Sequence, residues 1–522
     1  MVVTIAKMKQ TKNDTANLFA ALRAAFPADL DATAIDCADG SGGSYSWRDL
    51  ERGTAMLANL LDSLDLPPDS RIAVQTEKSV EALMLYLAVL RAGYVYLPLN
   101  TAYQASEISY FIGNAEPAVV VCAGRHFGWV SKIAFLAGTT FVFTLNDDRT
   151  GSLLERAAQM SEQHEIAVKS ADDMAALLYT SGTTGRSKGA MLSHGNLLSN
   201  ALTLKDCWDW RSDDVLIHAL PIFHVHGLFV ASHGALLAGA KMIWFSRFEP
   251  RAVIDKLTEA TIFMGVPTMY VRLLNEGGLT REVCTSMRLF ISGSAPLLID
   301  TFRAWQTRTG HTILERYGMS ETAMLTSNPC RPEDGDRIGG TVGRALPGVG
   351  LRVVDDAGTP CAADEIGHIE VRGPNVFAGY WRMPEKTAEE FTADAWFKTG
   401  DVGKLDAAGS TTIVGRSKDL IITGGYNVYP AELESMLNEL PGVAESAVIG
   451  VPHADFGEVV VAIVVAKAGA QLDSAAMVAA LKARIANFKV PKKVFVVTEL
   501  PRNAMGKVQK KLLREQHQGL FA

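Results

Sequence analysis

A loop rich in glycines and hydroxyl side chains follows the apolar run AALLY and is a candidate site for phosphate. Its sequence, YTSGTTGRSKGAMLSH, runs from Tyr179 to His194. Glycines let backbone N–H groups approach a phosphate closely, hydroxyls donate further hydrogen bonds, and Lys188 adds a positive charge. The spacing differs from that of a Walker loop, because two residues separate Gly185 from Lys188. A polar surface turn with a solvated lysine is the alternative interpretation, and the density of phosphate-compatible residues disfavours it.

Two further groups of basic residues attract attention before any fold is considered. His224 and His226 stand in PIFHVHGLF without partners at metal-ligand spacing, so we interpret them as residues that line or gate a pocket. Lys507, near the C-terminus, is followed by Lys510 and Lys511. On its own this cluster would be interpreted as a solvated basic tail.

Strand-like and helical patterns alternate over residues 45–135 and predict the elements that position these groups. TAMLANLLDSL and SVEALMLYLAVLRAG have helical periodicity, whereas RIAVQT and AVVVCAG are short apolar runs typical of buried strands. Similar runs return in VLIHAL, KMIWF, TIFMGV and MRLFISG. Strands that alternate with helices predict an α/β fold with βαβ units and mostly parallel sheets.

The pattern changes twice further along the chain, and each change predicts another unit. From about residue 336, Gly- and Pro-rich turns separate short strands such as GHIEVRG and STTIVGR, which predicts a small antiparallel or barrel-like part. After GRSKDLI, helical and strand patterns predict a compact α+β unit. We therefore expect a large N-terminal domain of several subdomains over residues 1–417 and a small C-terminal domain over residues 418–522.

Length and composition exclude several classes of function. The chain has 522 residues, too many for one ordinary core, and its net charge of −7 argues against general nucleic-acid binding. Its six cysteines are scattered without a C-x-x-C pair, which predicts free thiols in a reducing compartment. No apolar run reaches membrane-spanning length, and the N-terminus does not resemble a signal peptide. We expect a cytoplasmic protein without a membrane partner.

Ten segments resemble, in order, the core motifs of the adenylate-forming superfamily, which comprises acyl-CoA synthetases, luciferases and nonribosomal adenylation domains. They cover nearly the whole chain. The segments are LRAGYVYLPLN, YTSGTTGRSKG, PIFHVHGL, ISGSAPL, ERYGMSET, GHIEVRGPNVFAGYWRMPEKT, WFKTGD, GRSKDLI, GGYNVYPAELE and PRNAMGK. The resemblance implies an enzyme that activates a carboxylic acid with ATP as an acyl-adenylate and then transfers the acyl group to coenzyme A.

The resemblance also implies which residues bind the nucleotide. They are Thr180, Ser181, Gly182, Thr183, Thr184, Gly185, Lys188, Ser294, Ala295, Pro296, Glu315, Tyr317, Gly318, Ser320, Asp401 and Arg416. Tyr317 and the backbone of Gly293–Pro296 would sandwich the adenine, and Asp401 would accept hydrogen bonds from the ribose with Arg416 nearby. Ser320, where the family more often has Thr, keeps the hydroxyl that would bond the α-phosphate.

Three residues are implied to act in catalysis. Lys507 would reach over the acid and the α-phosphate and screen their repulsion as the carboxylate attacks phosphorus. Glu321, together with Thr183, would hold Mg²⁺, which takes one or two carboxylates plus phosphate oxygens. Lys188 would stabilise the departing pyrophosphate.

The small C-terminal domain is implied to be mobile. It would rotate about a hinge at Lys418 between the two half-reactions. Lys507 would face the site during adenylation, and the segment GGYNVYP would face it during thioester formation. Gly424, Gly425 and Tyr426 would then face coenzyme A, since glycines leave room for its pantetheine arm.

The acid pocket of this family is floored by residues around GSAP and just before the YG of ERYGMSE. Here these residues are Gly293, Ser294 and Arg316, with His224 as a further lining residue. An unpaired arginine in an apolar tunnel would be costly, whereas a second carboxylate on the substrate would match its guanidinium. The segment most resembles the malonyl-CoA and methylmalonyl-CoA synthetase branch, in which Arg316, Ser294 and Arg272 would bind the distal carboxylate.

Several alternatives stay open at this level. Arg316 could pair with Glu315 or Glu321 and never meet a substrate. The acid could be a short, medium or aromatic monocarboxylic acid, or the enzyme could load a carrier protein. A luciferase-type oxygenase shares the fold, and a non-catalytic binding protein is disfavoured because the chemistry-bearing residues are all retained. The setting PRNAMGK also resembles sites of acetylation in related bacterial synthetases, which implies a lysine acetyltransferase and a deacetylase as partners at Lys507.

Overall fold

The structure is a computed structural model that describes residues 15–40, 43–180, 187–503 and 507–521. The helices in this part of the chain are α1 (Leu18–Ala24), α2 (Trp47–Asp62), α3 (Val80–Arg91), α4 (Ala105–Ala115), α5 (Phe127–Leu136), α6 (Ser152–Ala157), α7 (His194–Cys207), α8 (Ser232–Ala238), α9 (Pro250–Asp255), α10 (Pro267–Leu274), α11 (Ile299–Thr309), α12 (Pro384–Glu390), α13 (Pro430–Asn438), α14 (Ser474–Lys482) and α15 (Lys510–His517).

The strands follow the same order. They are β1 (Thr33–Cys37), β2 (Ser44–Ser46), β3 (Arg71–Gln75), β4 (Val95–Pro98), β5 (Val119–Cys122), β6 (Phe141–Thr144), β7 (Met174–Thr180), β8 (Lys188–Ser193), β9 (Val215–His218), β10 (Lys241–Trp244), β11 (Ile262–Gly265), β12 (Leu289–Ser292), β13 (Ile313–Met319), β14 (Ala323–Ser327), β15 (Arg344–Ala345), β16 (Gly350–Val354), β17 (Gly367–Arg372), β18 (Gly379–Tyr380), β19 (Phe397–Leu405), β20 (Thr411–Arg416), β21 (Ile421–Thr423), β22 (Tyr426–Val428), β23 (Val443–His453), β24 (Gly457–Ala466) and β25 (Lys493–Val497).

Two large, mostly parallel sheets confirm the predicted α/β class. Over the described residues, one sheet has the order β18-β8-β7-β4-β3-β5-β6 and the other β15-β14-β13-β12-β11-β9-β10-β1-β2. Neighbours are parallel from β7 to β6 in the first sheet and from β13 to β1 in the second. Helices cover the faces of such sheets, which is why their strands are continuous apolar runs in the sequence. A single apolar core that includes α3, buried along its whole length, joins residues of both sheets.

The two smaller predicted units are also present. The part predicted as antiparallel or barrel-like is an antiparallel sheet of order β16-β17-β19-β20. The C-terminal region has its own sheet of order β22-β21-β24-β23, with β25 parallel to β24. Two apolar clusters of this region draw on residues from Ile421 onward. The domain boundary after residue 417 stays a prediction. None of the described helices combines the length and apolarity needed to cross a membrane.

Candidate active site

The candidate residues collect where parallel strands end and in the turns that follow. β7 ends at Thr180, Gly293 and Ser294 follow β12, and Arg316 and Tyr317 are neighbours on β13. Ligand sites of open α/β sheets lie at this edge, because the loops that leave successive strands meet there. Successive side chains of a strand point to opposite faces. Arg316 and Tyr317 therefore serve different parts of the site.

The residues predicted to bind the phosphates of ATP form the phosphate side of the site, which surrounds the buried carboxylate of Glu321. The hydroxyl of Thr180 donates to Glu321 Oε1 at 3.3 Å, and that of Tyr380 donates to the same oxygen at 3.1 Å. Lys188 Nζ lies 4.1 Å from the centroid of the Tyr380 ring and donates to Glu390 Oε1 at 3.2 Å. These contacts bring the predicted Thr180, Lys188 and Glu321 together. The other predicted phosphate-loop residues, Ser181, Gly182, Thr183, Thr184 and Gly185, lie outside the described residues.

The nucleotide side is a set of paired groups on β13, β19 and β20. Arg416 Nε lies 2.9 Å from Asp401 Oδ1, and the Tyr317 hydroxyl donates to the other carboxylate oxygen. Burial raises the pKa of Asp401, although Arg416 acts against this. Burial, with Asp401 adding to it, raises the pKa of Tyr317. Only glycine fits at position 318, because a Cβ there would lie 1.9 Å from the backbone oxygen of Ala323.

The acid side contains an isolated buried charge. Arg316 is 3% exposed, and its Nε and Nη2 have no hydrogen-bond partner in the part of the chain that the structure describes. A Cβ on Gly293 would lie 2.5 Å from the guanidinium carbon, so only glycine allows the guanidinium to pack there. Burial lowers the pKa of Arg316 to about 9. The alternative pairing is absent, since Glu321 binds hydroxyls and Glu315 accepts from the Gly340 N–H at 3.2 Å.

Ser294 and two histidines complete the acid side. Ser294 has a φ of 72°. Residues other than glycine rarely adopt this left-handed backbone conformation, and those that do cluster at functional sites. Its Oγ lies 3.3 Å from His226 Nδ1. His226 is buried and begins a π-helix, His226–Ala231. Its backbone N–H donates to His224 Nδ1 at 3.3 Å. Burial lowers the pKa of His224 to about 3 and that of His226 well below its usual range, so both imidazoles are neutral.

Glu315 is a second buried carboxyl group, next to Arg316 on β13 but bonded elsewhere. Burial raises its pKa to about 7, although the backbone N–H groups of Gly340 and Leu297 act in the opposite direction. The backbone of Asn328 donates to the Glu315 carbonyl at 2.9 Å. These contacts make Glu315 a link between β13 and the loop that contains Gly340.

Lys507 extends from the C-terminal region toward the other residues of the candidate site. Its backbone N–H donates to Asn503 Oδ1 at 3.0 Å, and its carbonyl accepts from the Asn503 N–H at 2.9 Å. The residue borders solvent, yet the surrounding protein desolvates its ammonium group and lowers its pKa. Arg416 adds to this shift, and the carboxylates of Asp401 and Glu321 oppose it. Lys507 therefore lies among the charges of both the nucleotide and the phosphate side.

The segment predicted to face coenzyme A lies outside this group of contacts. Gly424, Gly425 and Tyr426 are exposed at the turn between β21 and β22, and the Tyr426 ring stacks on Phe488 at a centroid distance of 4.6 Å. Lys418 lies between β20 and β21, and burial lowers its pKa. The Gly424 N–H donates to the Phe456 carbonyl at 2.9 Å, so the contacts given for this segment lie within the C-terminal region.

The remaining predicted residues have no contact that tests their roles. Ala295 and Pro296 lie in the loop after β12, and Ser320 lies in the turn after β13. Arg272 is exposed on α10, with its guanidinium 5.0 Å from the centroid of the Phe248 ring. Its contact with a carboxylate stays a prediction.

Two residues of the site were not predicted. Tyr380 contacts Glu321, which is 59 positions away in the sequence. Glu390 contacts Lys188, which is 202 positions away. Tyr380 stands in one of the recognised segments, FAGYWRMPEKT, which was the available signal. Glu390 lies beyond that segment, among other acidic residues, and has no comparable signal.

Comparison with known sequences assigns both parts of the chain. The model of the AMP-binding enzyme family matches residues 22–381, and that of the AMP-binding enzyme C-terminal domain matches residues 432–507. A malonate–CoA ligase of Arabidopsis thaliana is 34% identical, over 85% of this chain and 78% of that protein. A feruloyl-CoA synthase of Amycolatopsis sp. is 35% identical, over 90% of this chain and 93% of that protein.

Solved structures show the same architecture. The crystal structure of ATP-bound MatB from Rhodopseudomonas palustris matches with a TM-score of 0.94 at 55% identity, over 98% of this chain and 100% of that one. The apo structure of MatB matches over the same shares with a TM-score of 0.83. The arrangement described here is thus nearer to the ATP-bound structure than to the apo structure. With a family model spanning well over half of its length, the chain belongs to the AMP-binding enzyme family.

Proposed function

We propose that this protein is an ATP-dependent acid–thiol ligase that forms an acyl-CoA through an acyl-adenylate, with malonate or methylmalonate as the acid. The observation that carries the choice of acid is Arg316, a buried guanidinium without an acidic partner in the described residues. Two relatives, a malonate–CoA ligase and a feruloyl-CoA synthase, support the reaction class.

The geometry of Arg316 favours one carboxylate as its partner. A buried guanidinium is costly unless it is paired, so a partner is expected to come from outside the chain. Nε and Nη2, the two atoms without partners, lie on the same edge of the guanidinium. That edge binds a carboxylate through two parallel hydrogen bonds. A dicarboxylic acid can occupy it with one carboxylate and present the other for activation.

In the first half-reaction, an oxygen of the reacting carboxylate attacks the α-phosphorus of ATP and pyrophosphate leaves. The electrostatic difficulty of this step is the approach of two anions. Lys507, which lies among the charges of Asp401, Arg416 and Glu321, screens that repulsion. The carboxylate is already a nucleophile, so no general base is required. The neutral His224 and His226 fit a pocket without one.

Glu321 is the side chain suited to hold Mg²⁺. The metal would neutralise charge on the phosphate oxygens of the bound nucleotide. Magnesium typically takes one or two carboxylates together with phosphate oxygens and water. The Glu321 carboxylate is buried and oriented by the hydroxyls of Thr180 and Tyr380, which fits this role. Thr183, the second predicted ligand, lies outside the described residues.

In the second half-reaction, the sulfur of coenzyme A attacks the acyl carbon, a C–S bond forms and AMP leaves. We place this step after a rotation of residues 418–522 against residues 1–417 about Lys418. The rotation would withdraw Lys507 and bring in the segment of Gly424, Gly425 and Tyr426. Support comes from the separate apolar clusters of the C-terminal region and from the different TM-scores to ATP-bound and apo MatB.

The test is pyrophosphate release over a panel of short mono- and dicarboxylic acids, with ATP and Mg²⁺, followed by thioester detection after coenzyme A is added. We expect malonate or methylmalonate to give the highest kcat/KM, and AMP release to depend on coenzyme A. A preference for a monocarboxylic or aromatic acid would refute the choice of acid. AMP release with a carrier protein in place of coenzyme A would favour a carrier-loading enzyme.

Acetylation of Lys507 is a proposed means of control. Acetylation removes the positive charge that the adenylation step needs. The segment PRNAMGK resembles acetylated sites in related bacterial enzymes, so a lysine acetyltransferase and a deacetylase are proposed partners. Protein acetylated at Lys507 is expected to be inactive in pyrophosphate release and to recover on deacetylation. An acetylated protein that keeps most of its rate would exclude this control.

A cytoplasmic location is also proposed. Five of the cysteines are free thiols, which suits a reducing compartment: Cys122, Cys207, Cys284, Cys330 and Cys361. Cell fractionation with an antibody against the protein tests this location, and recovery in another compartment would refute it.

A further inference from the structure

Two buried side chains on the acid side, Arg316 and His226, are not fully paired. Arg316 leaves Nε and Nη2 unpaired, and His226 leaves Nε2 unpaired, within the residues that the structure describes. His226 Nδ1 faces Ser294 Oγ at 3.3 Å. Arg316 is assigned to the acid in the proposed function, and Ser294 is implied to bind the same carboxylate by the family resemblance. His226 is not, and its contact with Ser294 gives it a defined place.

The fold presents His226 in a way that ordinary helix geometry would not. His226 begins the π-helix His226–Ala231, and π-helical turns are rare and frequently lie at functional sites. Its backbone N–H donates to His224 Nδ1. Ser294 is held with a positive φ of 72°. Two unusual backbone conformations thus meet at one side-chain contact.

The direction of the proton in this contact decides what Ser294 can do. Burial and the charge of Arg316 lower the pKa of His226, so its imidazole is neutral and has a single N–H. If Ser294 donates to Nδ1, its lone pairs face the pocket, where they would repel a carboxylate. If Nδ1–H donates to Ser294 Oγ, the hydroxyl proton is left for a carboxylate, which can only accept.

We propose that His226 is a positioning residue for substrate specificity: its Nδ1–H donates to Ser294 Oγ and thereby directs the serine hydroxyl proton to the distal carboxylate held by Arg316. This inference rests on the proposed function, because it requires a dicarboxylic acid. It predicts that His226 and Ser294 act through one hydrogen bond and that the effect is confined to acids with a second carboxylate.

Four variants separate this role from a packing role. His226→Asn keeps an N–H near the Nδ1 position, His226→Gln places one near Nε2, and His226→Leu has none. Ser294→Ala removes the hydroxyl. Each is purified and checked by thermal denaturation, and kcat and KM are measured for malonate and for propionate. Malonate binding in the presence of ATP but without Mg²⁺ is measured by calorimetry as a readout independent of turnover.

We expect malonate recognition to be lost in the variants that have no N–H near the position of Nδ1. A hydrogen bond to a charged group has a strength that corresponds to about a tenfold or larger change in affinity. His226→Leu and His226→Gln should therefore raise the KM for malonate about tenfold, lower the ratio of malonate to propionate kcat/KM by a similar factor, and weaken calorimetric binding. His226→Asn should restore most of the ratio. The double variant His226→Leu with Ser294→Ala should lose no more than Ser294→Ala alone.

Three results would overturn the inference. Losses that are equal for malonate and propionate would indicate packing. Rescue by His226→Gln rather than His226→Asn would assign the contact to Nε2. Losses that multiply in the double variant would show that His226 and Ser294 act independently. The wild-type protein distinguishes these from failure of the proposed function: a wild type that prefers propionate refutes the dicarboxylic acid itself.

Discussion

The nucleotide side and the acid side of the site differ in how their charges are satisfied. On the nucleotide side, Asp401 is paired with Arg416 and accepts from Tyr317, so each charge has a partner within the chain. On the acid side, Arg316 is as deeply buried as Asp401 but has no acidic partner among the described residues. Both regions include residues of β13. The contrast between Asp401 and Arg316 is therefore one of pairing and not of burial.

This difference indicates which of the two regions already has its charges paired before the substrate binds. A paired set is rigid and positions its groups at little further cost, which suits a nucleotide that every reaction cycle needs. An unpaired buried charge gains most when a ligand of the right charge arrives and loses most when it does not. The acid side should therefore discriminate among acids, whereas the nucleotide side should not.

The largest effect is expected at Lys507, which lies near the charges of Asp401 and Arg316 and is proposed to screen the acid from the α-phosphate. Lys507→Ala should lower acid-dependent pyrophosphate release about 10²- to 10³-fold with every acid, comparable to the removal of one preorganised charge-stabilising group. The same variant should still form the thioester from pre-made malonyl-adenylate and coenzyme A. Lys511→Ala is the control, since Lys511 is 86% exposed. Equal loss of both half-reactions would refute a role in adenylation alone.

Arg316 tests the acid side. Arg316→Met should lower kcat/KM for malonate about 10²-fold or more, because removing one partner of a desolvated Arg–carboxylate pair costs about 2–5 kcal/mol. Activity with propionate or butyrate should hold or rise, since the pocket loses a buried charge. Arg303→Met, at an exposed position of α11, is the matched control. Parallel loss with both classes of acid would contradict the contrast between the two regions.

Asp401 is the matching test of the nucleotide side. Asp401→Asn should lower kcat/KM for ATP about 10- to 100-fold, because charged hydrogen bonds contribute about 1.5–3 kcal/mol. The loss should be the same whether malonate or propionate is the acid. Asp147→Asn, at an exposed position, controls for the loss of a surface charge. A change in the ratio between the acids would mean that the nucleotide side also selects the acid.

Glu315 should affect stability more than catalysis. Its pKa is raised to about 7 by burial, above the usual value of 4.5. Between these values the folded state keeps a proton that the unfolded chain has released, so the free energy of unfolding falls as pH rises through this window. Glu315→Gln, which can still accept from Gly340, should flatten the fall between pH 5 and pH 8 by about 2–3 kcal/mol.

Chemical denaturation at several pH values measures this effect, with the exposed Glu333→Gln as control. Identical pH dependence in wild type and Glu315→Gln would show that Glu315 does not hold its proton in the folded state.

The sequence predicted the fold better than it predicted the contacts of the site. β3, β5 and β12 are short apolar runs bounded by turn residues, and their local pattern is enough to identify them. Arg316 could be placed in the acid pocket because it stands inside a recognised segment. Glu390 could not be connected to Lys188, because the contact spans 202 positions and an acidic residue on a helix usually faces solvent.

His226 illustrates the same limit. The sequence allowed it to be interpreted as pocket lining, but its partner Ser294 is 68 positions away, and the π-helix that presents it has no sequence pattern that we could recognise. Long-range pairing and unusual backbone conformations arise from packing of the whole molecule, which local periodicity does not report.

The two faces of β13 have a consequence for inhibitor design. Arg316 and Tyr317 are consecutive; Arg316 is proposed to bind the acid, whereas Tyr317 donates to Asp401 on the nucleotide side. A bisubstrate compound that joins a carboxylate to adenosine through a short, non-hydrolysable linker would bind both faces of a single rigid strand. Linking the two ligands makes the second contact intramolecular and so raises potency without any new interaction. Leaving out the distal carboxylate would give a compound that fits many adenylate-forming enzymes. Keeping it would select those with an arginine at this position.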